Sequence, residues 1–550
     1  MRTLSLHRHL CLVTALVLLV ASPVVQAQYT ELHNFNNHAE GSNPNNPALL
    51  AQGLDGSLYG TLPINLGFDG SVFSCAPDGT VADLHNFLGK PDGNNPQSGL
   101  SLGWDGNFYG TTVRGGTFDS GTVFMYRDGV ETTLYSFSGG TDGGFPWAPP
   151  IQAPDGNIYG VTYNGSSPGR AYKVNPATGA FSVIAILPSQ TTAPLILGTD
   201  GNLYGTTQYG GTSNRGTVFQ LTTKGKLKII HSFNTDGVDG TGPVSPVLEA
   251  ADGKLYGTTA AGGAFGLGTV WGGMSTGGAG YKILHSLQNS AGVTEGENPS
   301  AGVVQGSDGF LYSVAELGGA NSSGTLFRVN AKGTTFQKLW DFSNINAGQS
   351  GDTPRSTPTL HTNGIIYGTT SHGGTQFPPY GVLYSYTANL KPFVSLVVIT
   401  SGLVNNAVGI IGQGFLSATG VSFGNGPGQI VPINDTAAVV VPLPGAMSGP
   451  IKVHEPTGDL VTPQTFKVLP SISDFNPKSG PVGTVITITG MSLKQTTSVK
   501  IGKVTLGAGG FNVISDTQVT ATVPATVSPA KVSLKTKGGS AIARGAFTIQ

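Results

Sequence analysis

Short apolar runs alternate with glycine-rich turns between residues 29 and 388, and the alternation recurs about every 50 residues. Each unit centres on a tyrosine, most often within Leu-Tyr-Gly-Thr, and an Asp-Gly or Asn-Gly pair begins four residues before it. Such a pair between apolar runs predicts a β-hairpin, because the type I′ turn needs positive φ. The seven tyrosines are Tyr59, Tyr109, Tyr159, Tyr204, Tyr256, Tyr312 and Tyr367.

Each unit predicts four short strands. The tyrosine strand is the second arm of the hairpin, and its first arm is short and apolar, as in Val247-Leu248. A glycine-rich loop leads to a third strand such as Thr122-Val123-Phe124, and a fourth follows, such as Leu134-Tyr135-Ser136-Phe137. Four strands per repeat at this period indicate the blade of a β-propeller.

The two ends of the array predict a closed ring. Leu32-His33-Asn34-Phe35 resembles a fourth strand and precedes the first complete unit, whereas the last unit stops after its third strand, residues 381–386. We expect the N-terminal strand to complete the last blade, which leaves no long unpaired edge. The pattern therefore predicts a seven-bladed propeller over residues 28–388.

Two stretches of about 80 residues follow and align with each other. Ile411-Gly412-Gln413-Gly414 corresponds to Ile488-Thr489-Gly490-Met491, and both stretches have the period-two patterning of a β-sandwich. We predict an immunoglobulin-like module at 392–468 and a second at 470–550. The fold class is therefore all-β.

The N-terminal segment resembles a cleavable secretory signal, residues 1–27. Arg2 and Arg8 precede an apolar run, and Val25-Gln26-Ala27 provides small residues at a cleavage site. A secreted chain beginning at Gln28 would keep one cysteine, Cys75, so no internal disulfide is expected. No later segment reaches the roughly 18 apolar residues that span a bilayer.

Composition and charge narrow the partners. The 550 residues include 84 glycines and 35 prolines, only 10% are charged, and the net charge is -1 without charge runs. This composition suits short strands and tight turns, and it provides no basic patch for nucleic acid or anionic lipid.

The Leu-Tyr-Gly-Thr-Thr, Gly-Gly and Gly-Thr-Val-Phe signatures resemble the tandem repeat of secreted bacterial proteins called GloVer, for Gloeobacter and Verrucomicrobia. The resemblance covers most of residues 29–388. It implies architecture and secretion, since no biochemical activity is assigned to that family. Phe475-Asn476-Pro477, with Gly480-Pro481-Val482-Gly483-Thr484 after it, looks like an IPT/TIG domain, an immunoglobulin-like module of surface and secreted proteins. The preceding module is a more distant match.

Candidate chemistry lies on loops. The Asp-Gly pairs are isolated, so we interpret them as turns and predict no metal site or cofactor. His33, His85, His231 and His285 share one repeat position, which favours packing or an inter-strand hydrogen bond. No nucleophile or zinc motif assigns a catalytic residue, although a glycosidase-type carboxylate pair from different blades stays open.

Strand alternation brings the loops between second and third strands, and those leading to the next blade, to one long-loop face. The opposite, tight-turn face carries short turns. The long-loop face presents aromatic and polar side chains that suit sugars or peptides. These candidate binding residues are Arg114, Phe118, Trp147, Tyr163, Tyr209, Arg215, Phe265, His372 and Tyr380.

We therefore predict a secreted, monomeric binding or adhesion protein whose ligand is an extracellular glycan or protein. One alternative is a secreted propeller enzyme acting on polysaccharide, a glycosidase or lyase. Two or three carboxylates converging at the channel mouth would favour that alternative. A structural envelope protein without a ligand is the other alternative.

Overall fold

The computed structural model describes residues 28–36, 50–64, 69–164, 168–290, 292–343, 350–375, 380–397, 399–526 and 528–550. These residues form β-strands and one short 3-10 helix, Phe415–Ser417, so the all-β prediction is confirmed. The predicted signal sequence lies outside the described residues.

Seven four-stranded antiparallel sheets, numbered here in chain order, make up the described part of the repeat region. The N-terminal strand β1 spans Tyr29–Asn34 and belongs to sheet 7. Sheets 1 to 3 consist, four strands each, of β2 (Ala51–Gln52), β3 (Leu58–Leu62), β4 (Ser71–Cys75), β5 (Val81–Asn86), β6 (Leu100–Leu102), β7 (Phe108–Thr112), β8 (Thr122–Arg127), β9 (Val130–Ser136), β10 (Ile151–Gln152), β11 (Ile158–Thr162), β12 (Arg170–Val174) and β13 (Phe181–Ile186).

The remaining sheets follow the same order, and two short ladders interrupt them. Sheet 4 contains β14 (Ile196–Leu197), β15 (Leu203–Thr207), β16 (Thr217–Leu221) and β17 (Leu227–Ser232). The first ladder pairs β18 (Gly240–Thr241) with β21 (Ala261–Gly262), and sheet 5 contains β19 (Leu248–Glu249), β20 (Leu255–Thr259), β22 (Thr269–Met274) and β23 (Lys282–Ser286). The second ladder pairs β24 with β25, whose ranges follow. The rest of the repeat region contains β24 (Asn289–Ser290), β25 (Val293–Thr294), β26 (Val304–Gln305), β27 (Phe310–Ala315), β28 (Thr325–Asn330), β29 (Phe336–Asp341), β30 (Thr359–Leu360), β31 (Ile365–Thr370) and β32 (Val382–Thr387).

The repeated tyrosine strand is the buried second strand of each sheet. Every residue of β7, β11, β15 and β20 is buried. The residue after the tyrosine pairs with an aromatic side chain of the third strand, as Gly110 pairs with Phe124. A Cβ on Gly110 would lie 2.4 Å from the Phe124 ring, so glycine makes room for that ring.

Apolar clusters join each sheet to its neighbours. Seven clusters each combine side chains of two adjacent sheets. One of them packs Tyr367 and Leu383 of sheet 7 against Leu50 and Phe73 of sheet 1. The order of the sheets therefore closes on itself through apolar packing.

The N-terminal strand completes the last sheet. Strand β1 pairs antiparallel with β32, with Tyr29 opposite Tyr386 and Asn34 opposite Val382. The Tyr29 ring stacks on Trp340 of sheet 6 with centroids 4.5 Å apart. The predicted pairing of the N-terminal strand with residues 381–386 is confirmed.

Two further β-structures follow the repeats. The first is an eight-stranded sheet with one apolar core, and the second consists of two facing sheets with a separate core. The strands of the first are β33 (Ser395–Leu396), β34 (Ser401–Gly402), β35 (Val408–Ile411), β36 (Gly420–Phe423), β37 (Gly426–Pro432), β38 (Ala437–Pro442), β39 (Gly449–Glu455) and β40 (Gly458–Val468). Those of the second are β41 (Ser471–Asn476), β42 (Ser479–Gly480), β43 (Val485–Met491), β44 (Thr496–Ile501), β45 (Val504–Leu506), β46 (Phe511–Val513), β47 (Gln518–Thr522), β48 (Ala530–Thr536) and β49 (Ser540–Ile549).

Candidate functional site

The first C-terminal module contacts the tight-turn face. Thr362, in the first turn of sheet 7, accepts a hydrogen bond from the Gln413 side chain at 2.9 Å. Lys467 donates to the carbonyl of Thr199, in the corresponding turn of sheet 4, at 3.0 Å. Thr436 donates to the carbonyl of Leu54 in sheet 1. The module therefore spans turns of several sheets.

A cavity of about 390 Å³ lies between the innermost strands of the sheets and this module. Its lining is mainly apolar, with Ile196 and Val304 from the sheets and Leu396, Val397 and Ile411 from the module. Because the module rests on the tight turns, it covers that end of the cavity.

The nine predicted binding residues lie on loops of several sheets. Phe118, Tyr209 and Phe265 are 59%, 46% and 56% exposed, on loops of sheets 2, 4 and 5. Arg215 is exposed as well. Tyr380 instead packs against the apolar cluster between sheets 7 and 1.

His372 is exposed and its ring lies beside its own loop. The Nδ1 atom lies 3.1 Å from the hydroxyl of Ser371. Its backbone pairs with Asp352 in an isolated bridge. These contacts hold the loop that follows the second strand of sheet 7.

Trp147 and Tyr163 do come together, beside Arg114, on the long-loop face. The two rings lie edge to face with centroids 6.2 Å apart. The Arg114 guanidinium lies 5.5 Å from the centre of the Phe145 ring and 3.7 Å from a carboxylate oxygen of Asp119. The amide of Tyr163 donates to the carbonyl of Phe145 at 3.2 Å. Arg114, Phe145, Trp147 and Tyr163 form what we call the aromatic patch.

Phe145 has an unusual backbone conformation. Its φ is 54°, in the left-handed region that bulky side chains avoid. Equivalent positions of other sheets also have positive φ, and their residues are Asn95, Gly242, Asn298 and Thr353. In this segment the sequence predicted Trp147 as a binding residue and did not predict Phe145. The missed signal is an aromatic residue where the equivalent positions have asparagine, glycine or threonine.

Three of the repeated histidines are held by acidic residues of the next connection. The ring Nε2 of His85 lies 3.3 Å from Asp92, that of His231 lies 3.4 Å from Asp239, and that of His285 lies 2.8 Å from Glu295. At the corresponding position of sheet 2, the Tyr135 hydroxyl donates to Asp142 at 2.9 Å. The sequence predicted packing or an inter-strand hydrogen bond for these histidines. Their acidic partners lie on the following connection and not on a neighbouring strand, whereas packing is seen where the rings of His85 and His231 lie edge to face on Phe87 and Phe233.

Asp239 illustrates the electrostatics of these connections. Burial by itself would raise the pKa of this carboxyl, but hydrogen bonds from His231 and Tyr281 outweigh burial and lower the pKa. Asp239 therefore stays ionised and fixes the loop. The fourth repeated histidine, His33, packs edge to face on Phe35.

Another buried carboxylate, that of Glu316, anchors the loops of sheets 6 and 7. It accepts hydrogen bonds from the Asn298 amide at 2.9 Å and the Ser300 hydroxyl at 3.2 Å, and it pairs with Arg355 at 2.5 Å. Arg355 neutralises the charge of the carboxylate, and the two neutral donors satisfy its oxygens. This is the arrangement of a structural ion pair. Within the described residues, no group of three or more His, Cys, Asp or Glu side chains is arranged to hold a metal ion.

Repeated four-stranded sheets followed by immunoglobulin-like β-structure define an all-β repeat protein. A family model for the Gloeobacter/Verrucomicrobia repeat matches residues 20–169, 148–292 and 272–415. The chain belongs to this family. An IPT/TIG domain model matches residues 470–549. No curated protein matches the chain, and no helix in its described part is long and apolar enough to cross a membrane.

Solved structures resemble the chain only distantly. A surface glycan-binding protein from Prevotella bryantii is 19% identical with a TM-score of 0.22, and the match covers 27% of this chain and 38% of that one. A fungal alcohol oxidase of the AA5 family is 13% identical with a TM-score of 0.37, covering 92% and 98%. TolB from Acinetobacter baumannii is 15% identical with a TM-score of 0.33, covering 63% and 86%. At these identities and TM-scores, the matches say nothing about the function of this chain.

Proposed function

We propose that residues 28–388 form a seven-bladed β-propeller, followed by an immunoglobulin-like module at 392–468 and an IPT/TIG domain at 470–550. The seven four-stranded sheets and the clusters that join them, including sheet 7 to sheet 1, support this arrangement. The pairing of β1 with β32 supplies the closing strand.

We propose that this protein acts outside the cell and binds a glycan through the aromatic patch on its long-loop face. The observation that carries the proposal is the positive φ of Phe145. Such a conformation costs on the order of 1–3 kcal/mol and is retained where function needs the side chain. Edge-on aromatic rings beside a guanidinium provide apolar faces and donors for a sugar.

Neighbouring loops extend this surface. Phe118, Tyr209 and Phe265 present exposed rings on loops of sheets 2, 4 and 5, and Arg215, His372 and Tyr380 complete the predicted set. A glycan longer than the patch would contact them in turn. Their individual substitution should weaken binding less than substitution of Trp147, because contacts at the edge of an interface contribute less.

The test pairs binding with stability. A glycan array identifies a ligand for the intact chain, and Trp147→Ala and Phe145→Asn should each weaken its binding by about tenfold or more. Phe145→Asn should also raise the melting temperature, since asparagine tolerates the left-handed conformation. Lys226→Ala, on a turn of the opposite face, is the control and should change neither property.

Two outcomes would contradict the proposal. One is equal loss of binding in the Lys226 and Trp147 variants. The other is retention of full affinity by Phe145→Asn and Trp147→Ala. If a peptide bound instead, with the same loss of affinity in the Trp147 and Phe145 variants, the binding surface would stand and the ligand would be a peptide and not a glycan.

A further inference from the structure

A crevice of about 410 Å³ opens on the tight-turn face between sheets 1 and 2. Its wall contains Tyr59, Phe108 and Tyr126, and its polar lining includes Asp105 and Asn107. The crevice shares no residue with the aromatic patch. The repeat histidines and Glu316 do not line it either.

A short turn creates this crevice. Sheet 2 joins its third and fourth strands through residues 128–129, whereas sheets 1, 3, 4, 5 and 6 use residues 76–80, 175–180, 222–226, 275–281 and 331–335. A glycine of each longer turn packs against the fourth strand of the preceding sheet. A Cβ on Gly79 or Gly333 would lie 2.6 or 2.7 Å from a carbonyl oxygen of that strand. Nothing lies within 4 Å of such an atom on Gly129.

The wall of the crevice is aromatic, with Tyr59 half-buried and Phe108 and Tyr126 largely buried behind it, and its polar groups are held in place. The ring of Tyr59 stacks on Phe108 with centroids 4.2 Å apart. Asp105 accepts hydrogen bonds from the Tyr109 hydroxyl at 2.7 Å and from the Gln152 amide at 3.0 Å. Asp55 accepts one from Tyr59 at 3.0 Å. A ligand therefore meets fixed acceptors beside an aromatic face.

This combination matches the chemistry of a saccharide. The C–H face of a sugar ring packs on aromatic side chains, and its hydroxyls hydrogen-bond to carboxylate and amide groups. Three carboxylates, Asp55, Asp105 and Asp128, line the crevice with one guanidinium, Arg127, which pairs with Asp128 at 3.2 Å. The surplus of negative charge disfavours an acidic sugar.

We propose that the crevice between sheets 1 and 2 binds one or two rings of a neutral or amino saccharide. The site is separate from the long-loop face, so the protein would have two saccharide-binding surfaces on opposite faces. The proposal stands on the shortened turn and the lining of the crevice, and it does not depend on the aromatic patch.

The experiment is calorimetric titration of the intact chain with cellobiose, the disaccharide of glucosamine, and digalacturonic acid. We expect binding of cellobiose or of the glucosamine disaccharide and none of digalacturonic acid. Asn107→Ala should weaken this binding about tenfold or more. Asn157→Ala, at the same repeat position of sheet 3 and outside the crevice, is the matched control and should bind as the parent does.

A second variant closes the crevice and keeps its aromatic wall, Asp105 and Asn107. Residues 128–129 are replaced by the five-residue turn of sheet 1, Ala76-Pro77-Asp78-Gly79-Thr80, which should abolish binding. This variant decides the question if Asn107→Ala lowers the melting temperature. Lys226→Ala, on the turn between the third and fourth strands of sheet 4, should leave disaccharide binding unchanged.

The proposal is overturned if neither disaccharide binds, if digalacturonic acid binds as tightly, or if the variant with the longer turn keeps its affinity. Loss of disaccharide binding through Trp147→Ala alone would assign it to the long-loop face and also overturn the crevice. Failure of the aromatic patch to bind glycan on the array leaves these outcomes unaffected. The two proposals therefore fail separately.

Discussion

At the scale of single residues, two buried hydroxyls distinguish otherwise equivalent positions. Tyr172 and Tyr384 are fully buried, and within the described residues their hydroxyls have no hydrogen-bond partner. Burial raises the pKa of both groups, so both stay neutral. Four other sheets place phenylalanine at this register position, which comprises Phe73, Phe124, Phe219 and Phe327.

We expect Tyr384→Phe to stabilise the protein by about 1 kcal/mol, because an unpaired buried hydroxyl costs about that much or more. Tyr204→Phe is the contrasting variant. Its hydroxyl donates to Asp200 at 2.6 Å, and its loss should destabilise by about 1 kcal/mol. Denaturant titration of the intact chain measures both, and a less stable Tyr384→Phe would contradict the argument.

At the scale of elements, the hairpin of each repeat is fixed by its turn and its tyrosine together. The Tyr109 hydroxyl donates to Asp105 at 2.7 Å, and the same bond recurs in sheets 1 and 3 to 6. In sheet 7 the Asn363 amide donates to Tyr367 at 3.1 Å. The recurrence supports a structural role for the seven tyrosines.

Strand β1 is the element on which closure depends. Deleting residues 28–36 removes the partner of β32 and the Tyr29 ring between Trp340 and Tyr384. We expect a large drop in melting temperature of the whole repeat region, because the exposed edge and clusters lose their packing on both sides. A truncated protein that melts like the parent would show that closure contributes nothing to stability.

At the scale of the whole molecule, the first C-terminal module and the repeat region line one cavity together. Leu396, Val397 and Ile411 of the module contribute to the wall of the central cavity. Hydrogen bonds from Gln413 and Lys467 to turns of sheets 7 and 4 add direction to this apolar contact. The apolar contact and these hydrogen bonds together dock the module on the tight-turn face.

A charge placed in that wall should separate the two parts. Leu396→Asp is expected to cost about 2 kcal/mol or more, because a carboxylate in an apolar wall lacks partners. Limited proteolysis should then cleave near residues 388–394 faster than in the parent. Leu416→Asp, at a site of the same module that is 71% exposed, is the control. Identical cleavage of both variants would contradict the docking contact.

The amino-acid sequence by itself determined the strand pattern, the seven repeats and the closing strand. Asp-Gly or Asn-Gly turns and alternating apolar positions are local signals that repeat seven times, and the surplus fourth strand at residues 32–35 occurs once, before the first repeat. The interpretation of the repeated histidines as packing or hydrogen-bonding residues also followed from their common position.

Only the tertiary structure decided which loop residues meet. Trp147 and Tyr163 are neighbours, whereas Phe118, Tyr209 and Phe265 stay on separate loops, because the distances depend on how whole sheets pack. The strained Phe145 and the crevice beside Gly129 likewise arise from contacts between segments distant in sequence. No local pattern encodes such distances, since each is set by the angle and spacing of neighbouring sheets.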